Sequence, residues 1–505
     1  MKKIEFTGAA LALFASGLLL AGCGNSSKAN KMEPAEYYSY IENKSIEEGL
    51  KSTKSSISYE DGFSGDFDLK LSLLKEGKAL IKTYMGAMAG SGAPTDMDWL
   101  DSVSVNGNVA VNKGAMSAKM SGSVNSAKIN FDAVMNEESA CLRVPELNKS
   151  FISLPSSFLG GMSGLDVGAV VKSYTDYLTS IPSYAEIASE VNKYKDAYLK
   201  YAKDVSKNTS NVTKSGSSQE FTVLTVNFEG ENAEKMVKEI LTLVKDDECI
   251  KKFLQSMENF QRTVNSYNSN APFSYSKFAE GVESLLDDLD EYGLGDFSNF
   301  KMDVFVNSKD EICGRAFRLA DTEMGSYVLT RDGKKFGFDL SANIGGSKMS
   351  IVGDGTCKGN LYTGEYTLSE GSNEIQKFTL ENFDAGAAKK GILKGTLKFT
   401  PPQFAAYQVA LDVNYGDSAA KYGLSVLQDS KKLATLDYNT KISKGSAIKL
   451  PSDAVKVEGE EDIQKYVKAL KFDELNKIIK KVGMPKEYED QLTGTVDGLS
   501  KQFAE

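Results

Sequence analysis

Three Ser-x-x-Lys segments are the residues of this chain whose types and spacing best suit covalent chemistry. They are Ser274–Lys277, Ser418–Lys421 and Ser446–Lys449. A serine at the start of a helix, with a lysine one turn later, can act as a lysine-activated nucleophile when S-D-N and K-T-G segments complete the site. Neither segment occurs in the chain. We therefore attribute the three matches to a composition rich in serine and lysine, and predict no catalytic residue.

Histidine is absent from all 505 residues. Its absence excludes Ser-His-Asp and Cys-His nucleophile pairs, histidine-liganded zinc and imidazole proton shuttles. Arginine occurs at five positions only, so the chain has few side chains that could bind an anion through two parallel hydrogen bonds. We predict a non-enzymatic protein without a metal or cofactor. A hydrolase that uses a pair of Asp or Glu side chains stays open as an alternative, because the sequence does not give the separation of carboxylates in space.

Two other segments imitate ligand-binding loops. Asp288–Gly293 begins like a calcium-binding EF-hand loop, but Tyr292 and Asn299 would occupy positions five and twelve, where oxygen ligands including a bidentate carboxylate are needed. Gly353–Gly359 has the glycine density of a phosphate-binding loop without its spacing. We interpret the first as an acidic helix end and the second as a tight hairpin.

A stripe of tyrosines is the most distinctive positive feature. From Tyr184 onward, tyrosines and aliphatic residues recur at steps of three and four, which predicts one face of a helix. Tyrosine has a large apolar ring and a polar tip, so such a face can pack on a core or line a binding cavity. Both interpretations stay open. If the stripe lines a cavity, we expect Tyr194, Tyr198 and Tyr201 to contact the ligand.

Cysteine is sparse. Beyond Cys23, the chain has Cys141, Cys249, Cys313 and Cys357, which allow three complete pairings. Cys313 and Cys357 fall in one β-rich block and are our candidate disulfide. Four free buried thiols are an equally open alternative.

Alternating apolar and polar residues predict strands in two blocks of the chain. The first lies between residues 65 and 144 and the second between about 301 and 450, and each strand would have one apolar and one wet face. Helical periodicity predicts helices after Pro34, between residues 184 and 290, and after residue 460. The polar stretch 206–220 is predicted to be a loop. Because strands come in runs, we predict an α+β fold of antiparallel β-meander sheets, half-barrel-like and packed with helices.

The start of the chain has the layout of a secretory signal peptide. Lys2 and Lys3 precede a short apolar run that ends in Leu20-Ala21-Gly22-Cys23. The run is too short to span a bilayer. We predict a signal peptide over 1–22 and a flexible tether over 23–34. An N-terminal β-meander plus helical module would follow over 35–298, and a C-terminal antiparallel β module with terminal helices over 299–505.

Leu20-Ala21-Gly22-Cys23 resembles the lipobox of bacterial lipoproteins. The resemblance implies that Cys23 is diacylated, becomes the first residue of the mature protein and holds it at the extracytoplasmic face of the cell membrane. Glu33–Tyr38, Val144–Pro155 and Asp310–Arg315 also resemble segments of uncharacterised Firmicutes lipoproteins. More distantly, the order of sheets and helices is similar to that of half-barrel lipoprotein carriers and lipid-binding proteins.

Charge and anchoring restrict the function classes. A formal net charge of −10 argues against nucleic acid as a partner. Two acyl chains give stable membrane anchoring, so a diacylated Cys23 needs no second membrane signal. Our first hypothesis is a lipoprotein that binds or shields a hydrophobic small molecule or lipid. The alternatives are a structural or adhesion module with an envelope or protein partner, and the substrate-binding lipoprotein of a transporter.

Overall fold

The structure is a computed structural model, and it describes residues 31–53, 59–88, 97–163, 166–264, 274–293, 299–319, 322–344 and 347–504. The helices are α1 (Pro34–Thr53), α2 (Lys75–Met88), α3 (Ser156–Ser163), α4 (Val167–Thr179), α5 (Tyr184–Tyr201), α6 (Glu231–Lys245), α7 (Glu248–Val264), α8 (Tyr275–Tyr292), α9 (Ala385–Ala388), α10 (Glu460–Lys468), α11 (Phe472–Lys481) and α12 (Lys486–Ala504).

The strands are β1 (Phe63–Leu73), β2 (Ser102–Asn112), β3 (Ala115–Val124), β4 (Ala127–Asn136), β5 (Ser139–Arg143), β6 (Ile152–Pro155), β7 (Asp204–Lys214), β8 (Ser217–Glu229), β9 (Asn299–Val306), β10 (Ile312–Leu319), β11 (Thr322–Asp332), β12 (Lys335–Ile344), β13 (Ser347–Lys358), β14 (Leu361–Glu370), β15 (Asn373–Asp384), β16 (Leu393–Phe399), β17 (Gln408–Tyr415), β18 (Ala419–Gln428), β19 (Lys431–Lys444) and β20 (Val455–Lys456). The predicted α+β class, with antiparallel meanders packed with helices, is confirmed.

The chain forms two compact units that interleave in sequence. Unit 1 comprises residues 1–54, 184–248 and 276–417, and unit 2 comprises residues 55–183, 249–275 and 418–505. This division differs from the sequential modules 35–298 and 299–505 that the sequence predicts. Within unit 2, β1 pairs with β19 over its whole length, so strands more than 350 residues apart are neighbours. Pairing at such a distance leaves no signal in the local pattern of residues.

Unit 1 contains an antiparallel meander that runs in chain order from β7 to β17. The prediction of a loop over 206–220 is wrong, because these residues form the hairpin of β7 and β8. Its turn is made by Ser215 and Gly216, both with positive φ, as a two-residue hairpin turn requires. Most β7 side chains are exposed, so a polar strand forms without an apolar face.

Helix α1 is embedded in unit 1. Tyr37, Tyr38 and Ile41 are at most 1 % exposed and pack with strands β8 and β9. The carboxylate of Glu42 accepts two hydrogen bonds from the guanidinium of Arg315, at 2.6 and 2.8 Å. The segment that directly follows the predicted tether is therefore part of the core.

Strands β12 to β15 of unit 1 contribute a filled aromatic cluster. Phe336, Phe338 and Tyr366 are at most 1 % exposed, and the ring of Tyr366 stacks on that of Phe378 with centroids 5.3 Å apart. A Cβ atom at Gly353 would lie 2.2 Å from the Tyr366 ring. Glycine is thus required there, because the ring lies across the backbone of the neighbouring strand.

Unit 2 contains the strand order β18-β19-β1-β2-β3-β4-β5-β6-β20. All neighbours are antiparallel except β6 and β20. Helix α4 begins at the Asp166 cap, whose carboxylate accepts the Ala169 N–H, and packs against β2, β3 and β4. Helix α4 also packs on α7 through aromatic rings, and the ring of Tyr177 stacks on that of Phe260 with centroids 5.8 Å apart.

Candidate ligand-binding site

The unit 2 sheet has a continuous apolar face that crosses six strands. Leu69 lies directly opposite Val105 of β2 and Tyr438 of β19, and Leu71 lies opposite Val103 and Leu436. Directly opposed residues point to the same side of a sheet, so the register extends the face from strand to strand. Its central members are Tyr422, Leu424, Leu436, Tyr438, Phe67, Leu69, Leu71, Val103, Val105, Met120, Val124, Ile129 and Phe131. We call this set the apolar face.

The opposite side of the same strands is polar. The side chains of Asp68, Lys70 and Ser72 alternate with those of the apolar face along β1. They lie opposite Asn106, Ser104 and Ser102 of β2. One side of this sheet therefore suits water and the other does not.

The apolar face is only partly buried. Leu71 is 46 % exposed and Val105 is 38 % exposed, and the remaining members are half-buried. In unit 1, by contrast, the apolar side chains of β12 and β14 reach 0–5 % exposure at Phe338, Tyr366 and Leu368. The apolar face of unit 2 therefore retains surface that a hydrophobic ligand could cover.

The dimensions of the apolar face suit a lipid tail. Six strands about 4.8 Å apart span roughly 24 Å, and the stretch from Phe63 to Leu71 extends roughly 27 Å at about 3.4 Å per residue. The acyl layer of one bilayer leaflet is about 15 Å thick, half of a hydrocarbon core of about 30 Å. More than one acyl chain could lie on a face of this size.

The tyrosine stripe of α5 lies in unit 1, and its hydroxyls are engaged within the protein. The Tyr194 hydroxyl donates to Asp247 at 2.8 Å and the Tyr201 hydroxyl donates to Glu239 at 2.6 Å. The Tyr198 hydroxyl lies 2.5 Å from that of Tyr38. This geometry matches the core-packing interpretation of the stripe, and ligand contact by these tyrosines stays a prediction.

The paired tyrosines Tyr38 and Tyr198 have raised pKa values because both are buried. Desolvation raises the pKa of Tyr38 and that of Tyr198 well above the ordinary tyrosine value. The nearby charge of Glu42 raises both pKa values further, since a second negative charge would be unfavourable there. The hydroxyl pair is thus a neutral, structural contact at physiological pH.

The disulfide expected between Cys313 and Cys357 is not formed, and the cysteines of the described residues, including Cys141 and Cys249, are present as thiols. Cys313 lies on β10 and Cys357 on β13, with β11 and β12 between them in the sheet. Three strand spacings of about 4.8 Å exceed the Cα separation of roughly 4.4–6.8 Å that a disulfide requires. Cys23, the predicted lipidation site, lies outside the described residues.

Unit 1 also has a cleft of about 780 Å³ over strands β13 to β17. Charged side chains such as Asp354, Glu365 and Lys398 line it beside Phe399. Of the three aromatic rings at the cleft, Tyr366 and Phe378 are 1 % and 9 % exposed and offer little surface to a ligand, whereas Phe399 is half-buried. The cleft therefore suits a hydrophobic ligand less well than the apolar face does.

Comparisons with protein-family models, with curated proteins and with solved structures gave no match for this chain. Among the helices that the structure describes, none combines the length and the apolar character needed to cross a membrane.

The sequence contained a signal for the apolar face, although we expected the site elsewhere. The alternation of Phe67, Leu69 and Leu71 with polar residues predicts a one-sided strand. It does not say whether helices cover that side. Incomplete coverage, which is what distinguishes this face, became visible only in the fold.

Proposed function

We propose that this protein is a lipid-anchored extracytoplasmic lipoprotein that binds a hydrophobic ligand, a lipid or a similar molecule, on the apolar face of unit 2. One observation carries the proposal. Six adjacent strands present a continuous apolar surface that stays half-exposed, with Leu71 at 46 % and Val105 at 38 %. Monomeric soluble proteins seldom expose large continuous apolar patches, and those that do commonly use them for binding.

The energetics favour an aliphatic ligand. Each CH₂ group moved from water to an apolar surface contributes about 0.8 kcal/mol, so a tail that buries ten of them gains about 8 kcal/mol before the cost of ordering it. Covering the half-exposed side chains of the apolar face contributes favourable free energy in the same way, because their apolar surface also leaves water. Neither partner needs a charged or metal-bound group for this interaction.

The predicted anchor would keep such a protein beside a source of lipid. Pro34, the first residue of α1, lies eleven positions after Cys23. At full extension these residues reach about 36–40 Å. Because Tyr37 and Tyr38 belong to the core of unit 1, a diacylated Cys23 would hold that unit within this distance of the membrane.

The direct test compares Leu71→Glu with Ser72→Glu. The two residues are neighbours on β1, but Leu71 belongs to the apolar face, whereas Ser72 lies on the polar side between Ser102 and Thr435. Leu71 is exposed enough for the change to spare folding. Each variant would carry Cys23→Ser to remove the acyl anchor. Native mass spectrometry and organic extraction of the purified full chain would then measure bound lipid.

We expect the parent and Ser72→Glu to carry a hydrophobic ligand in a fixed molar ratio. Leu71→Glu should carry at least tenfold less of this ligand. Equal loading of the two variants would remove the apolar face as the site. A bare protein in all three cases would contradict the proposed function.

A second function, recognition of an envelope or protein partner, is favoured by Phe404 of unit 1. This ring is 63 % exposed and follows Pro402, which lines the charged cleft. Exposed aromatic side chains of this kind often anchor protein interfaces. Loss of a captured partner in Phe404→Ala, with ligand loading unchanged, would support this second function. The antiparallel meanders give no support to the transporter alternative, which we expect to require alternating strands and helices.

A further inference from the structure

Unit 2 contains a polar cavity of about 510 Å³ between α4 and α7. Of the residues that line it, only Ala169 lacks a polar side chain. Serine, threonine and asparagine side chains, such as Ser256 and Asn259 on α7, alternate there with charged residues. Such a lining is unsuited to an acyl chain but offers many hydrogen bonds to a polar group.

Three lysines, Lys113, Lys172 and Lys252, face the cavity together with two carboxylates, Glu60 and Asp176. The ammonium of Lys172 and the carboxylate of Asp176 are 2.6 Å apart and neutralise each other. The backbone N–H of Lys113 donates to the side chain of Asn112, but within the described residues the ammonium groups of Lys113 and Lys252 form no ion pair and no hydrogen bond. The lining thus carries three ammonium groups against two carboxylates, a net charge of +1, in a chain whose formal net charge is −10. The carboxylate of Glu137 also acts on Lys172 from nearby.

The cavity adjoins one end of the apolar face. Phe63 and Val111 are directly opposed at the end of β1 and β2, on the apolar side of the sheet. Lys113 lies in the turn that follows β2, two residues after Val111, and Glu60 precedes Phe63 by three residues. Val111 is only 1 % exposed, so the half-buried ring of Phe63 is the part of this end that a ligand tail can reach on its way to the lysines.

We infer that the lysine cavity binds the anionic headgroup of an amphipathic ligand whose apolar tail lies on the apolar face. The inference rests on the proposed function and narrows it to lipids that carry a phosphate or a similar anion. An ammonium group is a compact charge with several N–H donors, and serine and asparagine side chains on α7 add further donors for phosphate oxygens. A neutral lipid would occupy the face without using the cavity.

The test uses the full chain with Cys23→Ser and the double variant Lys113→Glu/Lys252→Glu. The matched control is Lys128→Glu/Lys441→Glu, which reverses two exposed lysines on the polar side of the unit 2 sheet. Each protein is mixed with phosphatidylcholine vesicles that contain either phosphatidylglycerol or diacylglycerol. The lipid that co-purifies with the protein after the vesicles are removed is quantified by mass spectrometry.

We expect the parent and the control to take up phosphatidylglycerol about tenfold better than diacylglycerol, a ratio that corresponds to about 1.4 kcal/mol. The cavity variant should take up both lipids to a similar extent and retain its diacylglycerol uptake. Retained uptake also establishes that the variant is folded.

Three outcomes would overturn the inference. If the cavity variant keeps the preference of the parent, the cavity is not the headgroup site, although the proposed function stands. If the parent binds inorganic phosphate in a lysine-dependent manner but shows no lipid preference, the cavity serves a free anion. If no protein takes up either lipid, while circular dichroism confirms that each is folded, the proposed function fails together with the inference.

Discussion

Removal of the carboxylate of Glu42 should destabilise unit 1 severely. Glu42 and Arg315 form a bidentate ion pair, and their side chains are 6 % and 17 % exposed. Burial disfavours the charged form of Arg315, but the charge of Glu42 and its hydrogen bonds hold the pKa of the guanidinium well above its usual range. In Glu42→Ala the guanidinium would therefore stay charged and buried without its counter-ion.

The expected cost follows from that geometry. Breaking a buried ion pair on one side typically costs about 3–5 kcal/mol, because the remaining charge is left uncompensated. In domains of about 150–250 residues, each kcal/mol lowers Tm by about 2–4 °C. We therefore expect Glu42→Ala to lower the unfolding transition of unit 1 by on the order of 10 °C in a calorimetric scan.

The same helix supplies the control. Glu47 pairs with Lys51 at 3.6 Å, with both side chains more than 70 % exposed, so Glu47→Ala should cost about 0–1 kcal/mol. Replacing both buried partners, as in Glu42→Leu/Arg315→Met, should restore most of the lost stability because no charge is left behind. Equal transitions for Glu42→Ala and Glu47→Ala would refute the reasoning.

Three further predictions concern packing, pH and thiol reactivity. Gly337→Ala would put a Cβ atom 1.8 Å from a β7 carbonyl and should cost about 1–3 kcal/mol in urea unfolding, whereas Gly49→Ala, in open space on α1, should stabilise by about 1 kcal/mol. The raised pKa of Tyr38 means that the folded state holds this proton to higher pH than the unfolded chain; stability should be complete below about pH 10 and fall above it, as alkaline denaturation would measure. Burial raises the pKa of Cys313 to about 12, so iodoacetamide at pH 8 should modify half-buried Cys249 first, and earlier modification of Cys313 would contradict this.

Local patterns of the sequence were sufficient for many elements of the fold. The alternation around Leu69 and Leu71 predicts the strand that forms as β1, and the helical periodicity after Tyr184 predicts α5. The hairpin over 206–220 could not be predicted in this way. Strand β7 has few apolar residues and no apolar face. It is held in place by its pairing with β8, which the local sequence does not reveal.

The site depends on coverage, which no local pattern contains. Phe336 and Phe338 alternate along β12 as Leu69 and Leu71 alternate along β1. The first pair is at most 1 % exposed, whereas Leu71 is 46 % exposed. The same period-two signal thus produces a filled core in one unit and a half-open surface in the other. What differs is the tertiary packing above each sheet, and for that reason the sequence directed attention to the tyrosines of α5 while the fold directs it to the apolar face.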